Sequence, residues 1–192
     1  IQQADFPRMD AARRVLGVIR PSVEALASFT RNGHIGILAT KGTVASESYP
    51  LEIEKLYGKE AFRITQVACP MWVPLVENNE LADEGAVYFV RKYIAELMTA
   101  DPQIDTVILG CTHYPLLRSL ILRYLPAHVR LVEQGHIVAD SLKDYLLRHP
   151  EMKERLSTKG NRHYLTTEKT ELFERMAGLF MGEELRAGQI EI

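Results

Sequence analysis

The chain has 192 residues, 46% of them hydrophobic, and its 23 lysines and arginines against 25 aspartates and glutamates give a formal net charge of −2. This composition is typical of a globular protein, and it excludes a disordered chain, a basic surface for nucleic acid and a polybasic segment for a membrane. Two cysteines are too few for a disulfide scaffold, and neither a membrane-spanning run nor a signal-peptide pattern is found. We therefore expect a cytoplasmic protein whose partners are small molecules or, as a homodimer, copies of itself.

Short β-like runs alternate with amphipathic helical stretches from residue 15 onward. We predict strands at residues 15–20, 34–39, 62–68, 106–110, 129–133 and 162–165. We predict helices at residues 22–30, 46–57, 82–98, 116–124, 138–147 and 169–180. Strands separated by helices are typical of parallel pairing, so the predicted fold class is α/β, with an open, mostly parallel sheet and helices on both faces.

Residues 149–161 are polar and charged, and they are the best candidate for a crossing between two packed units. One predicted strand and one predicted helix follow. These two elements cannot bury enough apolar surface to be stable by themselves. We expect them to pack on the preceding domain or to join a sheet whose other strands lie outside this chain.

A cysteine follows the most apolar predicted strand, in residues 105–117, which read D-T-V-I-L-G-C-T-H-Y-P-L-L. Cys111 would lie at the carboxyl end of a parallel strand, where ligands bind in open α/β sheets. Gly110 allows a sharp turn or the close approach of a ligand, and Pro115 can open a helix. The start of a helix favours a thiolate, so this segment is suited to presenting a reactive thiol.

Cys111 is the first candidate for a catalytic residue, and His113 is its candidate helper. An imidazole beside a thiol can stabilise the thiolate or carry its proton. The alternatives are an inert buried cysteine and a histidine that only hydrogen-bonds its own loop.

A second strand end, residues 35–46, carries three hydroxyl side chains, Thr40, Thr43 and Ser46. Hydroxyls and free backbone N–H groups at such a junction suit a carboxylate or a phosphate. The phosphate-binding pattern of nucleotide-binding loops is absent. Ser46 is at least as well explained as the N-cap of the following helix.

Residues 66–77 contain the third strand end, at Cys69, followed by two prolines. The part after Cys69 is predicted to be an irregular loop that the prolines stiffen and that burial of Trp72 anchors. Glu77 could lie close to the His113 loop as an orienting or proton-transferring carboxylate, and the alternative is a solvated carboxylate. Cys69, beside Pro70, is expected to pack rather than to react.

Two other kinds of site are disfavoured. Six residues separate Cys111 from Arg118, whereas the phosphate-binding loop of cysteine phosphatases has five. A zinc site needs four ligands, and one cysteine with one nearby histidine falls short, so no metal is predicted.

Four motifs carry a family resemblance: G-V-I-x-P at residues 17–21, A-T-x-G-T-V-x-S at 39–46, A-C-P-x-x-V-P-L-V-E at 68–77 and I-L-G-C-T-H-Y-P-L-L at 108–117. In these motifs the chain resembles the glutamate racemases of the aspartate/glutamate racemase superfamily. The resemblance covers nearly all of residues 15–135.

The resemblance implies a cofactor-independent isomerase that interconverts L- and D-glutamate and supplies D-glutamate for peptidoglycan. Its active site lies between two similar α/β domains, each contributing one cysteine as a base. Cys111 is then one base, with His113 and Glu77 assisting it. The implied substrate-binding residues are Thr112, His113, Thr40 and Thr43.

The chain also departs from the family pattern. The family's aspartate-serine-glycine, proline-tyrosine-glycine and cysteine-asparagine-threonine segments, the last holding the other base, are not found, and residues 131–135 read L-V-E-Q-G where an aspartate and a small residue are usual. We expect a remnant of the first domain at residues 1–14, the second domain at 15–135, and a segment packing toward the first domain at 136–192. These residues alone are not expected to racemise glutamate. An aspartate racemase, another superfamily member and a noncatalytic small-acid-binding module stay open as alternatives.

Overall fold

The structure, a computed structural model, describes residue 8 and residues 16–191. The chain divides into two compact units, Ile1–Asp144 and Tyr145–Ile192. The predicted first-domain remnant at residues 1–14 lies outside the described residues apart from Arg8.

The first unit contains a four-stranded parallel sheet. Its strands are β1 (His34–Ala39), β2 (Arg63–Ala68), β3 (Thr106–Leu109) and β4 (Arg130–Val132). The strand order is β2-β1-β3-β4, and every neighbouring pair is parallel. The predicted α/β class with a parallel sheet is therefore confirmed. Because the strands are parallel, the loops after β1, β2 and β3 all leave from the same edge of the sheet.

Helices flank these strands. They are α1 (Ile19–Glu24), α2 (Lys41–Ala45), α3 (Ser48–Tyr57), α4 (Trp72–Glu77), α5 (Glu84–Ala100), α6 (Arg118–Tyr124) and α7 (Gln134–Arg148). Two 3-10 turns, Leu26–Ser28 and Tyr114–Leu117, lie between these elements. In the described part of the chain, no helix combines the length and apolar character needed to cross a lipid bilayer.

Successive residues of β1 face opposite sides of the sheet, and each side has its own core. Ile35 and Ile37 belong to the core that contains Tyr49 and Ile53 of α3. Leu38 belongs to the other core, with residues of α4, α5 and α6. A strand with helices on both faces must be apolar at consecutive positions, which explains why β1 and β3 are almost completely buried.

Two predictions of secondary structure were wrong. A strand was predicted at residues 15–20, but Ile19–Glu24 is helical, and the predicted loop after Cys69 contains helix Trp72–Glu77. Pro21 and Pro74 are each the third residue of their helix. The N–H groups of a first turn have no partner within the helix, so proline is tolerated there and does not stop the helix.

The second unit contains α8 (Pro150–Lys153), β5 (Tyr164–Thr166), α9 (Thr170–Met181) and β6 (Ala187–Gln189). The sequence predicted one strand here, but β6 pairs with β5 in parallel. The A-G-Q sequence of β6 has no strand preference of its own. A side chain of α9 stabilises it instead, because Glu174 Oε1 accepts a hydrogen bond of 2.8 Å from the Ala187 N–H.

Candidate active site

Cys111 lies two residues after β3, at the edge of the sheet where β1, β2 and β3 end. The Gly110 N–H donates to the Leu38 carbonyl of β1 at 2.8 Å, which extends the β1–β3 pairing up to the residue before the cysteine. The thiol is half-buried and lines a cavity of about 300 Å³ together with Thr112, Pro115 and Val138. The sulfur is therefore accessible from a cavity of the size of a small-molecule site.

Two opposing influences act on the Cys111 thiol. Burial raises its pKa above the ordinary value for a thiol, and the negative charge of Glu77 raises it further. The backbone N–H groups of His113, Thr112 and Tyr114 lie near the sulfur and act in the opposite direction, because their positive ends favour the thiolate. The net effect is a raised pKa, so the neutral thiol is favoured and a neighbouring base must take its proton.

The His113 side chain connects the thiol to a carboxylate. Its Nδ1 lies 3.7 Å from Cys111 Sγ, and its Nε2 lies 3.2 Å from Oε1 of Glu77. The contact predicted between Glu77 and the His113 loop is therefore present. A carboxylate on one imidazole nitrogen stabilises the positive charge that forms when the other nitrogen accepts a proton. The imidazole, supported by the carboxylate, can therefore take the proton of the thiol.

An aromatic contact holds the Glu77 and His113 segments together. The rings of Trp72 and Tyr114 meet edge to face, with centroids 4.8 Å apart, and the Tyr114 hydroxyl donates to the Cys69 carbonyl at 3.2 Å. Trp72 begins the helix that ends at Glu77, and Tyr114 follows His113 directly. Both rings are fully buried, as predicted for Trp72. The buried pair therefore sets the position of the carboxylate relative to the imidazole.

Cys69 has the properties expected of a packing residue. Its side chain is fully buried, and burial raises the pKa of its thiol. Both this cysteine and Cys111 are free thiols. Cys69 contacts the site through its backbone carbonyl, which accepts from Tyr114.

Thr40 and Thr43 lie at the end of β1 and bond to each other. Thr40 is the N-cap of α2: its Oγ1 accepts from the Thr43 N–H at 3.3 Å and lies 3.0 Å from Thr43 Oγ1. Ser46 is the C-cap of α2 and Glu47 precedes α3, so the predicted N-cap role of Ser46 was wrong. In the described part of the chain, the wall of the 300 Å³ cavity includes Thr112 but neither of these threonines.

Two expectations about the cysteine loop need correction. Gly110 does not adopt a positive φ. The space that a side chain would need is already occupied, because an added Cβ would lie 2.9 Å from Ala39 Cβ and 3.2 Å from a ring carbon of Tyr49. Close packing, not a sharp turn, requires glycine here. The turn after Cys111 is a four-residue 3-10 turn containing Pro115, and the α-helix begins only at Arg118.

Two polar contacts of this region were not predicted from the sequence. Gln134, the first residue of α7, donates from Nε2 to the Leu109 carbonyl at 3.1 Å and to the Tyr49 hydroxyl. Gln134 also lines the cavity that contains Cys111. Its position just after β4 was the signal available in the sequence, because polar residues after parallel strands collect at the same edge of the sheet.

Arg118 and the candidate metal ligands have the following surroundings. The Arg118 guanidinium pairs with Glu133, at 3.0 Å from Nε to Oε2. Among the described residues, no group of three or more histidine, cysteine, aspartate or glutamate side chains is arranged to hold a metal ion.

Comparison with known protein families shows to which family the chain belongs. A family model described as Asp/Glu/Hydantoin racemase matches residues 11–142. The chain belongs to this racemase family. It is 35% identical over 178 residues to a glutamate racemase of Persephonella marina, covering 93% of this chain and 64% of the relative. It is 36% identical over 170 residues to a glutamate racemase of Levilactobacillus brevis, covering 88% of this chain and 60% of the relative.

Solved structures of glutamate racemases have the same fold. The Bacillus anthracis enzyme superimposes with a TM-score of 0.83 at 28% identity, covering 99% of this chain and 69% of that one. The Thermus thermophilus enzyme, solved with beta-chloro-D-alanine, gives a TM-score of 0.76 at 27% identity, covering 99% and 67%. The family resemblance predicted from the motifs is confirmed. This racemase-family chain spans 60% to 64% of the length of the two relatives above.

Proposed function

We propose that the protein containing this chain interconverts L- and D-glutamate without a cofactor, with Cys111 as one of two cysteine bases. The observation that carries the proposal is the row of contacts from Cys111 Sγ through the His113 ring to Glu77, beside an accessible cavity. The substrate class is supported by the glutamate racemase names of the relatives at 35% and 36% identity. The product D-glutamate would serve peptidoglycan synthesis.

In the proposed reaction, His113 takes the proton of Cys111, and the Glu77 carboxylate stabilises the imidazolium. The thiolate then removes the Cα proton of glutamate, and the electron pair of the broken C–H bond is delocalised into the substrate carboxylate. A thiol on the opposite face returns a proton to Cα and inverts the centre. Backbone N–H groups and hydroxyls, including that of Thr112, would stabilise the negative charge on the carboxylate. We propose Thr40 and Thr43 as further substrate contacts.

The second base is proposed to come from outside these residues. The chain has two cysteines, and Cys69 is fully buried in the core of the first unit. We accordingly propose that residues 1–192 alone do not racemise glutamate, and that residues 136–192 pack toward a first domain. A cytoplasmic location and a homodimer also belong to the proposal, the former supported by the two free thiols.

The proposal is tested by Cys111→Ala in the protein expressed from its complete reading frame. We expect turnover to fall on the order of 1000-fold in both directions, because the base for one face of Cα is lost. Circular dichroism with each enantiomer measures both directions, and the same assay with aspartate distinguishes an aspartate racemase. Cys69→Ala is the matched control and should retain activity, since the hydrogen bond that Cys69 accepts from Tyr114 is made by its backbone carbonyl, which the substitution keeps. Racemisation by Cys111→Ala at close to the wild-type rate would exclude the proposed base.

A further inference from the structure

Gln134 connects three elements at the end of β3. It begins α7, and its side-chain amide donates both to the Leu109 carbonyl, at 3.1 Å, and to the hydroxyl of Tyr49 in α3. Backbone pairing between β3 and β4 extends only to Ile108 and Val132. The Leu109 carbonyl, one residue beyond, thus accepts its hydrogen bond from a side chain.

Tyr49 supports the same strand end from the other direction. Its side chain is 1% exposed. A Cβ placed on Gly110 would lie 3.2 Å from the Tyr49 ring, so the ring packs directly on the backbone of Gly110. Leu109 is therefore held by a hydrogen bond and Gly110 by packing, and both residues come immediately before Cys111.

We propose that Gln134, with Tyr49, is a positioning residue that holds the end of β3 so that the Cys111 thiol enters the cavity with fixed geometry. This inference rests on the proposed function, for which Cys111 is a base. Gln134 itself lines that cavity, so the residue that holds the backbone also borders the space where the substrate is proposed to bind.

The consequence for the thiol follows from the groups around it. The backbone N–H groups of Thr112, His113 and Tyr114 lie near the sulfur and favour its thiolate, and the Tyr114 N–H donates to the Cys111 carbonyl at 3.3 Å. The charged and ionisable side chains around it come from several elements: Glu77 of α4, Tyr49 of α3, Cys69 after β2, His113, and Tyr114 of the 3-10 turn. If the strand end moves, the N–H groups lose their alignment and the thiolate loses stabilisation.

The test is the rate of Cys111 alkylation by iodoacetamide as a function of pH, followed by peptide mass spectrometry in the 192-residue chain. Gln134→Met keeps the side-chain length and removes the amide donor. We expect alkylation of Cys111 to slow at least about threefold at neutral pH and its midpoint to move to higher pH. Gln103→Met makes the same substitution at an exposed position before β3, and it should leave the profile unchanged.

A second variant covers the case in which Gln134→Met does not fold. Tyr49→Phe removes the hydroxyl acceptor and retains the ring against Gly110, so it should shift the profile in the same direction by a smaller amount. A lower melting temperature with an unchanged Cys111 profile in a folded Gln134 or Tyr49 variant would mean a purely structural role and overturn the inference.

Activity separates this inference from the proposed function. In the protein from the complete reading frame, Tyr49→Phe should lower kcat while leaving KM nearly unchanged, because the buried Tyr49 side chain does not line the cavity and acts on the thiol rather than on substrate binding. If the wild-type protein does not racemise glutamate but the alkylation profile still shifts, the positioning role stands and the proposed function fails.

Discussion

The Glu77 carboxylate is the most exposed member of the contact row, with half of its side chain accessible, whereas the His113 side chain is 26% exposed. Exposed ion pairs contribute little to folding, about 0.2–1 kcal/mol. The pairing of Glu77 with His113 is thus poorly explained by stability. Orientation of the imidazole and stabilisation of its charged form explain it better.

Glu77→Gln should therefore separate activity from stability. We expect kcat to fall about tenfold, since the imidazolium loses its counter-charge, and the free energy of unfolding to change by less than about 1 kcal/mol. Racemisation kinetics and urea unfolding measure the two effects. Glu84→Gln, at an exposed position on the first turn of α5, is the matched control. An equal loss of activity in both variants would mean that the carboxylate does not act through His113.

Among the elements, the ends of β1 and β3 are packed too closely for any side chain at Gly110. A Cβ added to this glycine would lie 2.9 Å from Ala39 Cβ, 3.2 Å from a Tyr49 ring carbon and 3.3 Å from the Leu38 carbonyl oxygen. A backbone oxygen and a short alanine side chain cannot move aside as a flexible side chain would. The strand ends must separate if a methyl group is added.

Gly110→Ala should destabilise the protein by about 1–3 kcal/mol through this overpacking and displace Cys111. Denaturant unfolding measures the first effect, and the alkylation rate of Cys111 measures the second. Gly85→Ala is the control, because an added Cβ there meets nothing within 4 Å and alanine is favoured in a helix. Wild-type stability of Gly110→Ala would contradict the packing described for β1 and β3.

Two carboxylates stabilise the opposite end of the sheet, where β1 and β3 begin. Asp105 accepts from the Thr30 hydroxyl at 2.7 Å and the Arg31 N–H at 2.6 Å, and Asp101, only 3% exposed, bonds to the His34 ring at 2.8 Å. Burial raises the pKa of each carboxyl, but the hydrogen bonds outweigh it and leave both pKa values lowered. A lowered pKa means that the folded state favours the carboxylate.

The stability from these carboxylates should be complete above about pH 4–5, where the unfolded groups are ionised, and should be lost as pH falls through the lowered folded-state pKa values. Asp105→Asn should lower the free energy of unfolding by about 1–3 kcal/mol at neutral pH. The variant should also lose less stability than the wild type when the pH is lowered. Urea unfolding between neutral and acidic pH measures both effects. Asp140→Asn, on the exposed side of α7, should retain the wild-type profile. A wild-type acid dependence in Asp105→Asn would refute the role given to this carboxylate.

Across the whole molecule, the two units differ in how deeply their strands are buried. All four residues of β3 and five of the six in β1 are buried. The three-residue strands β5 and β6 have no buried residue, and neither does α9. Two short strands without a buried face provide little stability.

Amide hydrogen exchange of the 192-residue chain should therefore be uneven. We expect peptides from β1 and β3 to exchange at least about 100-fold more slowly than peptides from β5, β6 and α9, because local opening of the second unit exposes little apolar surface. Mass spectrometry of the deuterated peptides measures the difference. Equal protection in both units would show that they unfold as one cooperative body.

Local sequence patterns were enough to predict much of the fold and of the candidate site. The apolar runs of β1 and β3 predicted buried parallel strands, and the residues after them predicted which edge of the sheet carries Cys111 and Thr40. The same reasoning failed for α1, α4 and β6. Proline in a first helical turn resembles a helix breaker, and the A-G-Q sequence of β6 acquires its conformation from Glu174 of another element.

By itself, the sequence determined the α/β class, the racemase family and the residues of the cysteine loop, because each depends on periodicity or on neighbours in the chain. Only the tertiary structure decided that burial raises the pKa of Cys111, that Gly110 is required for packing, and that Gln134 reaches Tyr49 across 85 positions of sequence. These properties depend on distances between separate elements, and no local pattern encodes such distances.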